Sequence, residues 1–136
     1  MRRVFNVFAL FAILATIHCA LAPSPDLRHI PWLPNAIATW ANKYPAFRNF
    51  PAFGVVAMSL YFCVLSWLQQ VHPKRLFGVA FLFSIVVSLF GVLLECLQLF
   101  LPARVFDPYD IAWSIAGAFA GSILAFSVSI CLISRK

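Results

Sequence analysis

The stretch ECLQLFLPARVFDPYD, Glu95 to Asp110, joins the last two apolar segments of the chain and decides how they are arranged. The chain has only four acidic residues, and three of them, Glu95, Asp107 and Asp110, lie here around a single Arg104. Prolines flank the arginine on both sides and favour a turn over a continuous helix. The stretch therefore predicts two helices that meet at a polar turn.

The composition places these helices in a membrane. Hydrophobic residues make up 63% of the 136 residues and charged residues only 10%, far from the average of soluble domains. A helix needs about 20 mainly apolar residues to cross a bilayer. Four segments qualify, at residues 4–22, 52–71, 76–101 and 109–133. We predict an all-α integral membrane protein with four transmembrane helices in a single domain, residues 1–136. The first segment also fits a secretory signal peptide, although its apolar run is longer than a usual signal core.

Lysine and arginine in the flanks of the segments predict the orientation, because cytoplasmic flanks carry more of them. With the N-terminus inside, six would be cytoplasmic: Arg2, Arg3, Lys74, Arg75, Arg135 and Lys136. Four would be outside: Arg28, Lys43, Arg48 and Arg104. We therefore expect both termini in the cytoplasm and the turn with Arg104 outside. The formal charge of +6 fits anchoring at anionic headgroups, and we expect no nucleic-acid partner.

The predicted outer loop between the first two helices, residues 23–51, holds six of the nine prolines. Proline this dense prevents a long helix, but Asn35 to Tyr44 lacks proline and predicts a short one that Asn35 caps. Ile37 and Trp40 share a face of that helix with Tyr44, which favours the outer membrane interface. The loop is either a lid over an outer site or a connector with aromatic anchors, and loop statistics favour the connector.

Two polar faces are predicted on the last two helices from their spacing. The third segment carries Ser84, Ser88, Gly91, Glu95 and Gln98, spaced four, three, four and three apart. The fourth carries Asp110, Ser114, Gly117 and Gly121, spaced four, three and four apart. Small residues let helices approach closely in lipid, so we predict that these two faces pack on each other.

Glu95 would lie about 10 Å below the turn, inside the outer leaflet. A carboxylate there costs about 2.5–3.5 kcal/mol unless it is neutralised, hydrated or paired. We expect Gln98 or Arg104 to partner it, with Arg104 closing the turn. Asp110 is predicted to cap the fourth helix, and Asp107 to be a solvated turn residue.

The motifs in this region resemble the signature of the VanZ-like family. The residues that carry the resemblance are Glu95 and Gln98, then Pro102 and Arg104, then Asp107 and Asp110, then Gly117 and Gly121. The resemblance implies a small polytopic protein of a bacterial inner (plasma) membrane, and the family's namesake is an accessory factor in low-level teicoplanin resistance. This chain departs from the family pattern in having Ser114 in place of Asn, and in lacking the family's His at the start of the second helix. Arg48 at most stands in there for the family's Lys.

Three kinds of function remain open from the sequence. The favoured one is a non-enzymatic envelope factor whose outer site binds an anionic lipid headgroup or a lipid-linked or glycopeptide ligand. In that site Arg104 would grip phosphate, and Glu95, Gln98, Asp107 and Asp110 would bind ligand or organise the site. The alternatives are a membrane enzyme acting on a lipid-linked phosphate and a scaffold or subunit of a membrane complex. No metal-binding or cofactor motif occurs, so we expect neither, and the catalytic residues and oligomeric state stay open.

Overall fold

In the computed structural model, the residues whose placement is described are 2–22, 24–67, 72–102 and 104–134. They form five α-helices: α1 (Arg2–Leu21), α2 (Asn35–Lys43), α3 (Asn49–Leu65), α4 (Pro73–Gln98) and α5 (Pro108–Ser134). A single 3₁₀ turn, Leu27–His29, precedes α2. No strand occurs in the described ranges, so the all-α expectation is confirmed for them. Of the cationic residues counted for the orientation, Arg135 and Lys136 lie outside these ranges.

Three of the helices are long and apolar enough to cross a membrane, over Arg3–Leu21, Lys74–Gln98 and Pro108–Leu132. Their outward faces expose large apolar side chains such as Leu10, Leu89 and Leu124. Such surfaces suit lipid rather than water. The described chain is therefore that of a membrane protein.

The second predicted span differs most from the sequence prediction. Helix α3 begins at Asn49, three residues before the predicted start, because Pro51 lies in its first turn, where proline is tolerated. It ends at Leu65, and the predicted residues 68–71 lie outside the described ranges. The seventeen residues of α3 are about 25 Å of helix, somewhat less than the roughly 30 Å of bilayer hydrocarbon.

Helix α4 is displaced by three residues at both ends from the predicted 76–101. It begins at Pro73 because His72 caps it: the His72 ring nitrogen accepts from the Lys74 backbone N–H at 3.3 Å. It ends at Gln98, and the backbone then tightens into a turn. The bounds of α1 and α5 lie within two residues of those predicted.

The most intimate helix contact is between α3 and α5, which run parallel. A Cβ atom at Gly117 would clash with the carbonyl oxygen of Phe50, and one at Gly121 with that of Gly54. The prediction that these glycines pack on α4 is therefore wrong, since their bare backbone faces α3. Without side chains between them, the two backbones can approach closely.

Helices α4 and α5 do form the predicted antiparallel pair, but they contact through Gly91 and Ser114 rather than through Gly117 and Gly121. A Cβ at Gly91 would lie 2.8 Å from the Cβ of Ser114. Farther along, Phe77 contacts Phe126, with ring centroids 5.9 Å apart. Helix α1 lies antiparallel to α3, and the Cys63 thiol donates to the Asn6 side-chain oxygen at 3.0 Å. The four long helices thus alternate in direction along the chain.

The loop between α1 and α3 has its own small apolar cluster, in which Ala38 and Ala41 of α2 pack with Leu27 and Ile30. The predicted short helix is confirmed as α2, although Pro34 rather than Asn35 occupies the position before its first residue. Asp26 anchors the loop's first half by accepting from Arg28 and from the Asn42 amide. Arg28 holds the pKa of Asp26 well below its usual value.

Candidate functional site

A cavity of about 750 Å³ lies between α1 and α3 and is covered by the loop. Its walls are mostly aromatic and aliphatic, with Phe11, Trp32, Trp40 and Phe53 among them. The α1 wall runs from Phe8 to Ala20, which is about 18 Å at the helical rise. The hydrocarbon of one leaflet is about 15 Å thick, so the cavity has the length and lining that suit an acyl chain.

Four charged or amide side chains line the cavity at its loop-side end: Arg48, Asn49, Gln98 and Asp110. We call these four residues the polar end. They come from the end of the loop, the start of α3, the end of α4 and the first turn of α5. They meet because the helices alternate in direction, which brings two helix starts and one helix end to the same side of the bundle.

Arg48 supplies the positive charge of the polar end. It is half-buried, and its Nη1 donates to the Pro25 carbonyl at 3.3 Å, a single bond for a side chain with several donors. Burial lowers the pKa of Arg48, while the nearby carboxylate of Asp110 acts in the opposite direction. An arginine nevertheless stays charged in proteins, so the cavity contains a cation with unused donors.

Glu95 is 3% exposed and lies beside this cavity rather than in its wall. Its Oε1 accepts from the backbone N–H of Asp107 at 2.9 Å. The expectation that a buried Glu95 needs a partner is thus met, but by the backbone of the turn instead of Gln98 or Arg104. Gln98, 7% exposed, instead faces the cavity. Glu95 therefore fixes where the turn lies, and Gln98 is free to meet a ligand.

The sequence prediction that Arg104 closes the turn over the carboxylates is wrong. Its guanidinium donates to the carbonyl oxygens of Cys19 at 3.1 Å, of Ala22 at 3.3 Å and of Ser24 at 3.4 Å. The Cys19 carbonyl lies in the last turn of α1 and the other two follow the helix, at the end where a helix leaves acceptors unpaired and its dipole is negative. Burial and the nearby Arg48 guanidinium lower the pKa of Arg104. Arg104 thus ties the turn between α4 and α5 to the end of α1.

The residue that caps α5 is Asp107, not Asp110 as the sequence predicts. Asp107 Oδ1 accepts from the Tyr109 backbone N–H at 2.9 Å, so Asp107 caps α5 with Pro108 as the first helical residue. Asp110 lies in the first turn and lines the cavity. Because Asp107 satisfies the helix end, the Asp110 carboxylate is available to the cavity.

The remaining residues of the two predicted polar faces are structural. The hydroxyls of three serines donate to the carbonyl four residues earlier in their own helix, at distances of 2.6–3.0 Å: Ser84, Ser88 and Ser114. None of these three lines the cavity, and they let helices pack closely without unpaired hydroxyls.

A second cavity of about 450 Å³ lies beside the first and shares with it Phe11, Ala15 and Trp32. His18 lines this second cavity, and its ring lies 5.7 Å from the Trp32 ring. The indole of Trp32 therefore forms part of the wall of both spaces.

Sequence reasoning did not place Arg48 or Asn49 in the site. The one available signal was that Arg48 stands where the VanZ-like pattern has a lysine. Among the described residues, no group of three or more His, Cys, Asp or Glu side chains is arranged to hold a metal ion.

The family model VanZ/LLP1 matches residues 4–132, nearly the whole chain. This chain belongs to the VanZ/LLP1 family. No curated protein and no solved structure matches it. Membership in the VanZ/LLP1 family agrees with the apolar helices in identifying a membrane protein.

Proposed function

We propose that this VanZ/LLP1 protein is a single domain, residues 1–136, that spans the inner (plasma) membrane four times with both termini in the cytoplasm. Helix α3 would be the fourth span, because it packs along α5 and alternates in direction with its neighbours. The charge distribution supports this orientation, since Lys74 and Arg75 flank a short inner turn. The polar end of the cavity would then lie in the outer leaflet.

We further propose that the cavity binds a membrane lipid or a lipid-linked molecule through its phosphate. One observation carries this proposal: an acyl-chain-sized apolar cavity ends at Arg48, Gln98 and Asp110. Small-molecule sites typically combine such apolar walls with a few placed polar groups and volumes of about 300–1,000 Å³. Arg48 takes the role that the sequence prediction gave to Arg104, because it lines the cavity and its guanidinium suits phosphate.

Glu95 and Arg104 would organise the site rather than contact the ligand, whereas the Asp107 side chain would only cap α5. Glu95 holds the backbone of Asp107, and Arg104 holds the end of α1, so together they fix two walls that meet at the polar end. Their substitution would then reduce ligand binding only together with stability, whereas substitution of Arg48 would reduce binding alone.

Native mass spectrometry of the protein in mild detergent tests the lipid site. The variants are Arg48→Gln, which removes the cation, and Ala15→Phe, which fills the apolar part of the cavity without touching the polar end. Arg75→Gln, an exposed arginine at the start of α4, is the matched control. We expect wild type and Arg75→Gln to retain a lipid of defined mass, and Arg48→Gln and Ala15→Phe to lose it while still melting cooperatively.

Equal, nonspecific lipid in all four proteins would sink the binding proposal. A lowered melting temperature without any change in bound lipid would then support a scaffold role. If the retained mass belongs to an envelope precursor, binding of that precursor would explain the accessory role in teicoplanin resistance that the family resemblance implies. In that case, expression in a susceptible bacterium would lower teicoplanin susceptibility with wild type and not with Arg48→Gln.

A further inference from the structure

The polar end presents opposite charges that do not touch. Arg48 and Asp110 both line the cavity, and each affects the other electrostatically. Among the described residues, the ion pair in direct contact is instead Arg28 with Asp26, in the loop. Two half-buried, unlike charges that line one cavity without forming an ion pair with each other are available to a ligand that carries both charges.

The charge balance around the cavity does not favour a headgroup with net negative charge. Two guanidinium groups, Arg48 and Arg104, lie near three carboxylates, Glu95, Asp107 and Asp110. Arg104 already donates to the carbonyls at the end of α1. The formal positive charge therefore does not exceed the negative, and a headgroup that is neutral overall meets no net repulsion.

We propose that the polar end selects a phospholipid headgroup that carries both a phosphate and a primary ammonium group. The phosphate would lie on Arg48 and the ammonium on Asp110, with the Asn49 and Gln98 amides beside them. This inference rests on the proposed lipid site and adds its headgroup chemistry.

The ammonium must carry N–H groups for Asp110 to recognise it. An ionised carboxylate only accepts hydrogen bonds, so it gains a charge-assisted bond from a primary ammonium. A quaternary ammonium has the charge without the donor, and a glycerol headgroup has hydroxyl donors without the positive charge. These three headgroups therefore separate the two contributions.

The test is lipid exchange read by native mass spectrometry. Delipidated protein receives an equimolar mixture of phosphatidylethanolamine, phosphatidylcholine and phosphatidylglycerol with identical acyl chains. For wild type we expect about tenfold more bound phosphatidylethanolamine than either competitor, as one charge-assisted hydrogen bond would give. Asp110→Asn should remove this preference while total bound lipid persists, and Arg48→Gln should lower all three.

Asp107→Asn is the matched control, because it removes the same charge nearby, keeps a capping side chain and does not line the cavity. It should keep the preference. Loss of preference in both aspartate variants would overturn the proposed contact, since long-range charge would then explain it.

Binding that depends on Arg48 but shows no headgroup preference in wild type would overturn this inference and leave the lipid site standing. No dependence on Arg48 would remove the lipid site itself. If Asp110→Asn fails to fold, wild type is challenged with mono- and dimethylated phosphatidylethanolamine. Retention should then fall stepwise as N–H groups are lost, and equal retention along that series would contradict the proposal.

Discussion

At the residue scale, the main finding is that charged side chains of the turn form hydrogen bonds with backbone groups instead of all facing the ligand cavity. Arg104 donates to three carbonyls at the end of α1, and Glu95 accepts from the N–H of Asp107. In lipid, an unpaired backbone polar group has no water with which to form a hydrogen bond. These side chains therefore replace water where the helices end.

Arg104→Ala should lower the melting temperature in detergent, because it leaves the carbonyls of Cys19, Ala22 and Ser24 without their donor. A part-buried group left unpaired costs about 1–3 kcal/mol of unfolding free energy. Arg104→Lys should recover only part of this loss, since one ammonium does not reproduce the planar fork. Arg75→Ala is the control. If Arg104→Ala has the same melting temperature as Arg75→Ala, Arg104 does not stabilise the end of α1.

The need of Glu95 for a partner was predictable, because a carboxylate deep in an apolar segment is costly. The identity of the partner was not, because backbone N–H groups leave no mark in a sequence pattern. For the same reason Arg104 was matched with carboxylates, the only visible counter-charges. Arg48 was missed because Pro51 was read as ending the loop, whereas proline belongs equally well in a first helical turn.

At the scale of elements, the small residues of α5 serve two neighbours at once. Ser114 meets Gly91 of α4, while Gly117 and Gly121 meet the backbone of α3. The spacing of the glycines predicted a close helix contact, but spacing alone does not say which helix is the partner. The polar residues of α4 led to the prediction that α4 is the partner, although α3 offered an equally small residue in Gly54.

Gly121→Ala should destabilise the bundle, because its new Cβ would clash with the carbonyl oxygen of Gly54 and force α3 and α5 apart. Overpacking of this kind costs about 1–3 kcal/mol. Gly78→Ala in α4 is the matched control, since a Cβ there has no atom within 4 Å. That variant should melt at or slightly above wild type, because alanine favours a helix by up to about 1 kcal/mol. Equal melting of the two variants would contradict the close α3–α5 contact.

At the scale of the whole molecule, the sequence predicted an all-helical membrane protein from composition and segment length alone. The cavity was not predictable, because it is formed by five separated parts of the chain. The loop illustrates the difficulty: Ile37 and Trp40 were expected at the membrane interface, and both line the cavity.

The proposed orientation predicts which side of the membrane each connection faces. Lys43→Cys at the end of α2 and Lys74→Cys at the start of α4 are each introduced after the four native cysteines are replaced by serine. A membrane-impermeant maleimide should label Lys43→Cys in intact cells and Lys74→Cys only after lysis. The reverse pattern would invert the topology and place the polar end at the inner leaflet.

Trp32 and Trp40 are two of only four tryptophans in the chain, and both lie in the cavity wall. Trp32 also borders the second cavity, against the ring of His18. Indole emission responds to the polarity around it, and bromine atoms on a nearby acyl chain quench it. The protein therefore carries its own optical reporter, so that filling of the cavity can be followed in real time without a label on the protein.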